Sequence, residues 1–265
     1  MSSAPVGIFD SGVGGLSVLR HIQIELPHED LLYVADSAHA PYGGKMPPQI
    51  QVRALALAEF LVAQGAKVLV VACNTATAAA LDMLRKRFEL PIIGMEPALK
   101  PAVAATLSGV VGVLATSGTL KSAQFAALLE NYGQGVRVMT QGCHGLVECV
   151  ERGELDGRAT RELLWRYIEP LLAGGADTLV LGCTHYPFLR PLIEDMTGGQ
   201  VTLVDTGAAV ARQLRRRIEA AGLATLETTA GNVRLWTSGD TEQAREVMEL
   251  LRGKATAVES LPLSC

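Results

Sequence analysis

The chain has 265 residues, a hydrophobic content of 49% and a formal net charge of −4, which allows one large domain or two of about 100–150 residues around a substantial core. The slight acidity offers no footing for a nucleic-acid partner. No apolar run approaches the ~18 residues of a membrane span, and residues 1–5 lead straight into a strand pattern without a basic leader, so a cytoplasmic protein is expected.

In chain order, strand patterns at 5–10, 31–36, 67–72, 91–94, 109–115, 136–140, 177–182, 201–204 and 232–236 alternate with helical patterns. The helices are expected at 16–26, 48–64, 75–88, 97–106, 119–131, 157–173, 187–196, 206–221 and 240–252. The strands are near-continuous runs of Val, Ile and Leu, the composition of strands buried on both faces of a mostly parallel sheet. Such alternation means α/β.

Two stretches of the chain resemble each other. Residues 67–75 end in Val71-Ala72-Cys73-Asn74-Thr75, and residues 177–185 end in Leu181-Gly182-Cys183-Thr184-His185. The cysteines stand 110 apart (183 − 73), as do the strands at Pro91 and Val201. Residues 6–12 resemble 111–118, and 31–36 resemble 136–141, at an offset of 105 (111 − 6). We therefore expect two pseudo-symmetric α/β domains with mostly parallel sheets and an active site in the cleft between them. The first would comprise residues 1–97 plus 208–265, and the second residues 98–207.

The five cysteines, Cys73, Cys143, Cys149, Cys183 and Cys265, include no Cys-x-x-Cys pair. Free thiols are expected, and neither a disulfide scaffold nor a structural zinc site. A buried cysteine at a strand end is ordinarily inert packing. Cys73, however, precedes a polar Asn74-Thr75 at an expected helix start, a setting that lowers a thiol's pKa. Cys183 repeats it, with Pro187 suited to a first helical turn. The helix ends also suit an anion, held by Asn74, Thr75 and Thr184. Two thiols facing one bound molecule would serve a two-base racemisation, one removing a proton as the other returns one. Cys143, Cys149 and Cys265 are read as packing or surface residues.

The loop Asp10-Ser11-Gly12-Val13-Gly14-Gly15 turns tightly before a helix. A dinucleotide fingerprint would place Asp36 on a ribose, but Ser17 stands at its third glycine, and Asp10 would repel a pyrophosphate.

These motifs, with Pro41-Tyr42-Gly43 and Thr116-x-x-Thr119, occur in the order found in glutamate racemases, which the chain resembles over about residues 5–221. The resemblance implies interconversion of L- and D-glutamate without pyridoxal phosphate, metal or nucleotide. Cys73 would take the α-proton of D-glutamate and Cys183 that of L-glutamate. Asp10 would assist Cys73, and His185 with Glu151 would assist Cys183. The position of Glu151 is shared closely with Glu148. Ser11, Pro41, Tyr42, Gly43, Asn74, Thr75, Thr116, Thr119 and Thr184 would touch substrate. A homodimer and a role for D-glutamate in cell-wall peptidoglycan synthesis are also implied. An aspartate or hydantoin racemase would use the same paired cysteines. A non-catalytic amino-acid-binding protein would explain the cleft but not the thiols.

Overall fold

The computed structural model describes residues 2–262, so Cys265 lies outside the described residues. The first part of the chain comprises β1 (Val6–Asp10), α1 (Leu16–Glu25), β2 (Leu31–Ala35), α2 (Pro47–Ala63), β3 (Val68–Val71), α3 (Asn74–Arg87) and β4 (Ile92–Ile93). The second contains α4 (Leu99–Ala105), β5 (Val110–Ala115), α5 (Ser117–Leu120), α6 (Ala123–Tyr132), β6 (Arg137–Gly142), α7 (Leu146–Glu151), α8 (Arg158–Ala173), β7 (Thr178–Leu181), α9 (Arg190–Met196) and β8 (Thr202–Val204). The chain ends with α10 (Gly207–Ala220), β9 (Val233–Thr237), α11 (Thr241–Arg252) and β10 (Glu259–Ser260).

Two sheets form, and every pairing in them is parallel. The first runs β10-β9-β2-β1-β3-β4 and the second β6-β5-β7-β8. The order β2-β1-β3-β4 thus recurs as β6-β5-β7-β8, following the internal similarity of the sequence strand for strand. After β8 the chain returns to the first sheet, where β9 pairs with β2. Strands β1, β2, β3 and β7 are buried along their whole length, as their unbroken apolar character requires.

Parallel strands direct their carboxyl ends the same way, and ligand sites of such sheets lie there. The residues that follow β1, β3, β5 and β7 are the Asp10–Gly15 loop, Cys73, Thr116 and the segment 182–185. Among the described residues no helix is long and apolar enough to cross a membrane.

The two-residue β10 is not among the expected strands, and three further elements differ from the periodicity reading, each for a local reason. The helix expected over 119–131 is divided into α5 and α6, because Ser122 caps a new start and accepts from Phe125 N–H. The helix expected over 187–196 begins as a 3-10 turn, Tyr186–Leu189, before α9; Pro187 and Pro191 bring no N–H to an α-helical first turn. The six-residue α7 gives too short a pattern to announce itself, and follows Gly145 at φ +86°.

Candidate active site

Cys73 is the N-cap of α3, with extended backbone angles of φ −146° and ψ 122°. Its Sγ accepts from Ala76 N–H at 3.4 Å, so the thiol meets one of the free donors of the helix end. That bond favours a thiolate, as the sequence suggested. Burial opposes it and prevails, aided by the nearby charge of Asp10, so the Cys73 thiol is pushed well above its usual range. The expected lowering is therefore corrected: burial disfavours the Cys73 thiolate and favours the thiol.

The thiol has a route for that proton. Cys73 donates to Ser11 Oγ at 3.7 Å, and the Ser11 hydroxyl donates to Asp10 Oδ1 at 3.2 Å. Asp10 is fully buried and accepts from Ser11 N–H at 2.7 Å, from Gly15 N–H at 2.6 Å and from Thr184 Oγ1 at 3.2 Å. Burial lifts its carboxyl to about 6, against the pull of His185 and these backbone donors. Asp10 thus both ties down its loop, the role an ordinary capping residue would have, and stands behind a thiol.

Cys183 has a different partner. The symmetry with Cys73 ends at the strand, since the 3-10 turn leaves Cys183 without an α-helical cap position. Its Sγ lies 3.7 Å from His185 Nδ1, and His185 Nε2 lies 2.6 Å from Glu151 Oε1. Desolvation disfavours a charged imidazole, but the hydrogen bonds with Cys183 and Glu151 outweigh it and hold His185 well above its usual range. Glu151 also accepts from Val13 N–H at 2.7 Å and from Ser37 Oγ at 3.0 Å, both in the first part of the chain. The structure brings Glu151 to His185, whereas Glu148 lines an outer groove.

Cys73 and Cys183 are 5% and 8% exposed. Both line one small cavity of about 10 Å³. Ser11, Pro41, Tyr42, Gly43, Asn74, Thr75, Thr116, Thr119, Thr184 and His185 line it too. Asp10 and Glu151 stand one bond behind this lining. The hydroxyls of Thr75, Thr116 and Thr119 form a triangle with edges of 2.8, 3.2 and 3.0 Å. Asn74 is different: its Nδ2 and Oδ1 are both buried and neither has a hydrogen-bond partner. A buried amide with both ends unpaired can serve a group that accepts at one end and donates at the other.

Sequence reasoning gave Asp36 only a rejected ribose role and overlooked Arg53. Asp36 accepts from Arg53 at 3.0 and 2.8 Å and from Tyr42 Oη at 2.6 Å. Burial would raise its carboxyl, but the Arg53 and Tyr42 bonds hold it below the usual range. This buried group fixes the Tyr42 ring that lines the cavity. Its sequence signal was faint: a polar Asp36 closing an otherwise apolar strand, and an arginine inside an apolar helix.

Residues 14–214 match the family described as Asp/Glu/Hydantoin racemase. A glutamate racemase of Ectopseudomonas mendocina (strain ymp) is 60% identical over 97% of this chain and 98% of its own length. The crystal structure of Escherichia coli glutamate racemase in complex with L-glutamate and the activator UDP-MurNAc-ala is similar at TM-score 0.86 and 32% identity, covering 99% of this chain and 100% of that chain. That of glutamate racemase from Francisella tularensis subsp. tularensis SCHU S4 in complex with D-glutamate gives TM-score 0.84 and 28% identity over 98% of both chains. With this fold, this cavity and these relatives, the chain belongs to the Asp/Glu/hydantoin racemase family, among its glutamate racemases.

Proposed function

We propose that this chain interconverts L- and D-glutamate by a two-base mechanism in which Cys73 and Cys183 act on opposite faces of Cα. The observation that carries the reading is that each thiol meets the same cavity with its own proton relay: Cys73–Ser11–Asp10 on one side, Cys183–His185–Glu151 on the other. One thiolate takes the α-proton, so a C–H bond breaks and an S–H bond forms. The other thiol then gives its proton to the opposite face. The two sulfurs finish with exchanged protonation, and the relays restore them.

Burial favours the protonated Cys73 thiol, and His185 beside Cys183 is held above its usual range. Cys73 therefore stands ready to donate, with a His185 imidazole that favours its charged form beside Cys183. Given the faces implied by the resemblance, this form takes L-glutamate first. Asn74 is suited to an amino acid, its Nδ2 donating to the carboxylate and its Oδ1 accepting from the ammonium. Thr75, Thr116 and Thr119 offer further donors as charge develops on the carboxylate, in a space nearly closed to water.

Residues 1–97 plus 208–265 and residues 98–207 would act as two bodies that part to admit substrate, a division supported by the two sheets. A cytoplasmic homodimer that supplies D-glutamate for peptidoglycan belongs to the same reading, by likeness to the relatives. The test is racemisation of glutamate by the wild type and by Cys73→Ser and Cys183→Ser. Each substitution should lower turnover at least about a hundredfold while glutamate still binds. Activity retained in either variant, or turnover of aspartate in place of glutamate, would contradict the proposal.

A further inference from the structure

Two grooves border the cavity between the thiols, and they differ in charge. One shares Pro41 and Val147 with the cavity, and its lining includes Glu148, Glu151 and Asp240. The single basic group there, Arg152, is already paired with Glu154 at 2.7 Å. The other groove shares Gly43 and Thr75 with the cavity. Its lining holds Lys45, Lys121 and His144, and no carboxylate. Neither lysine has an ion-pair partner among the described residues. Two unpaired lysines at one mouth are conspicuous in a chain of net charge −4.

The wall between this groove and the cavity is thin and is made by the two parts of the chain meeting. A Cβ added at Gly118, in α5, would lie 3.0 Å from the Gly43 carbonyl oxygen and 3.2 Å from Thr75 Cγ2. One added at Gly43 would lie 2.7 Å from Thr116 Cβ. The two parts approach this closely because neither glycine has a side chain. Separating the two surfaces by a little joins groove to cavity, with only the small Thr75 and Thr116 side chains bordering the gap.

We propose that substrate enters by the lysine groove and passes between Gly43 and Gly118, with Lys45 and Lys121 drawing in a small anionic amino acid. The inference rests on the reading of the site as a glutamate racemase. The acidic groove on the other side repels the same ligand, so the two mouths sort by charge. Fields of this kind act on encounter and lose strength with salt.

The experiment measures kcat and kcat/KM for L-glutamate at low and at physiological ionic strength. It compares the wild type, the double variant Lys45→Gln/Lys121→Gln and the single variant Glu148→Gln. Both lysines are at least partly exposed, so the double variant should fold. Its kcat/KM should fall about three- to tenfold at low salt, with kcat within about twofold and with a weaker salt dependence than the wild type. Glu148→Gln should match the wild type. A double variant with wild-type kcat/KM and salt dependence would overturn the proposal. So would a gain in kcat/KM from Glu148→Gln alone, which would assign entrance to the acidic mouth. The wild-type rate separates the two levels of inference. Failure to racemise glutamate overturns the reading of the site, whereas an active wild type with an indifferent lysine variant overturns the groove alone.

Discussion

The imidazole of His185 occupies the space that a side chain at position 14 would need: a Cβ built on Gly14 runs into ring atom Nδ1. Gly12 stands in the same relation to the Glu151 carboxylate. The glycine loop after β1 is therefore the surface against which His185 and Glu151 rest. It is held in turn by Tyr33, whose hydroxyl donates to the Gly12 carbonyl at 2.6 Å. Gly14→Ala should displace the imidazole from Cys183. Since an ångström of misplacement can cost about a hundredfold, kcat should fall by roughly that factor, while the far-UV circular-dichroism spectrum of the protein keeps its native shape. Wild-type kcat in a folded Gly14→Ala variant would show that the ring has room to spare.

Asp10 makes the protein's stability depend on pH in a stated direction. Its carboxyl titrates near 3.8 when the chain is unfolded and at about 6 when folded, because burial disfavours the charge. The folded state thus binds more protons across that window. The contribution is fully present below the unfolded value and is lost as pH rises through about 6, a change of about 3 kcal/mol. Urea unfolding of wild type and Asp10→Asn at matched pH values should show a difference that changes by roughly this amount between pH ~4 and ~7. A difference that stays flat would mean that Asp10 titrates normally.

Asp36 should act oppositely, through structure. Its carboxylate is fully buried and bonded to Arg53 and Tyr42. Asp36→Asn removes the negative charge that two bonds hold against the buried Arg53 guanidinium, and breaking such a buried pair costs about 3–5 kcal/mol. Because the folded carboxyl is held low, its stabilisation is present above the unfolded value and is lost as pH falls through the folded one. Denaturant midpoints should therefore drop for Asp36→Asn at pH 7, and the deficit should shrink in acid. A variant as stable as wild type at pH 7 would contradict this.

Much of the fold was legible because the two sheets are built from unbroken apolar runs, and the copy of one half in the other shows in the spacing of Cys73 and Cys183. The residues that line the cavity follow strand ends, which the strand reading located to within a residue or two. The protonation of Cys73 was not legible. A helix N-terminus can be read from Asn74-Thr75, but the opposing desolvation depends on how tightly the second half covers the thiol. The Cys183 side was misjudged for a local reason, since Pro187 and Pro191 replace an α-helical start with a 3-10 turn. Glu148 and Glu151 could not be separated along the chain: both lie on α7, a helix too short to show a face by periodicity. Contacts between distant residues, such as Asp36 with Arg53 and Ser37 with Glu151, carry no local pattern.

The central claim is that a proton leaves one face of Cα and another arrives on the opposite face. The most direct measurement incubates wild-type protein with L-glutamate in deuterated buffer, with no cofactor added. Circular dichroism follows optical inversion, and proton NMR follows the α-position of the product. The account predicts that the D-glutamate first formed carries deuterium at Cα, delivered from the thiol opposite the one that took the proton. D-glutamate that retains its α-proton, or a folded and reduced protein that neither inverts nor exchanges glutamate, would contradict it.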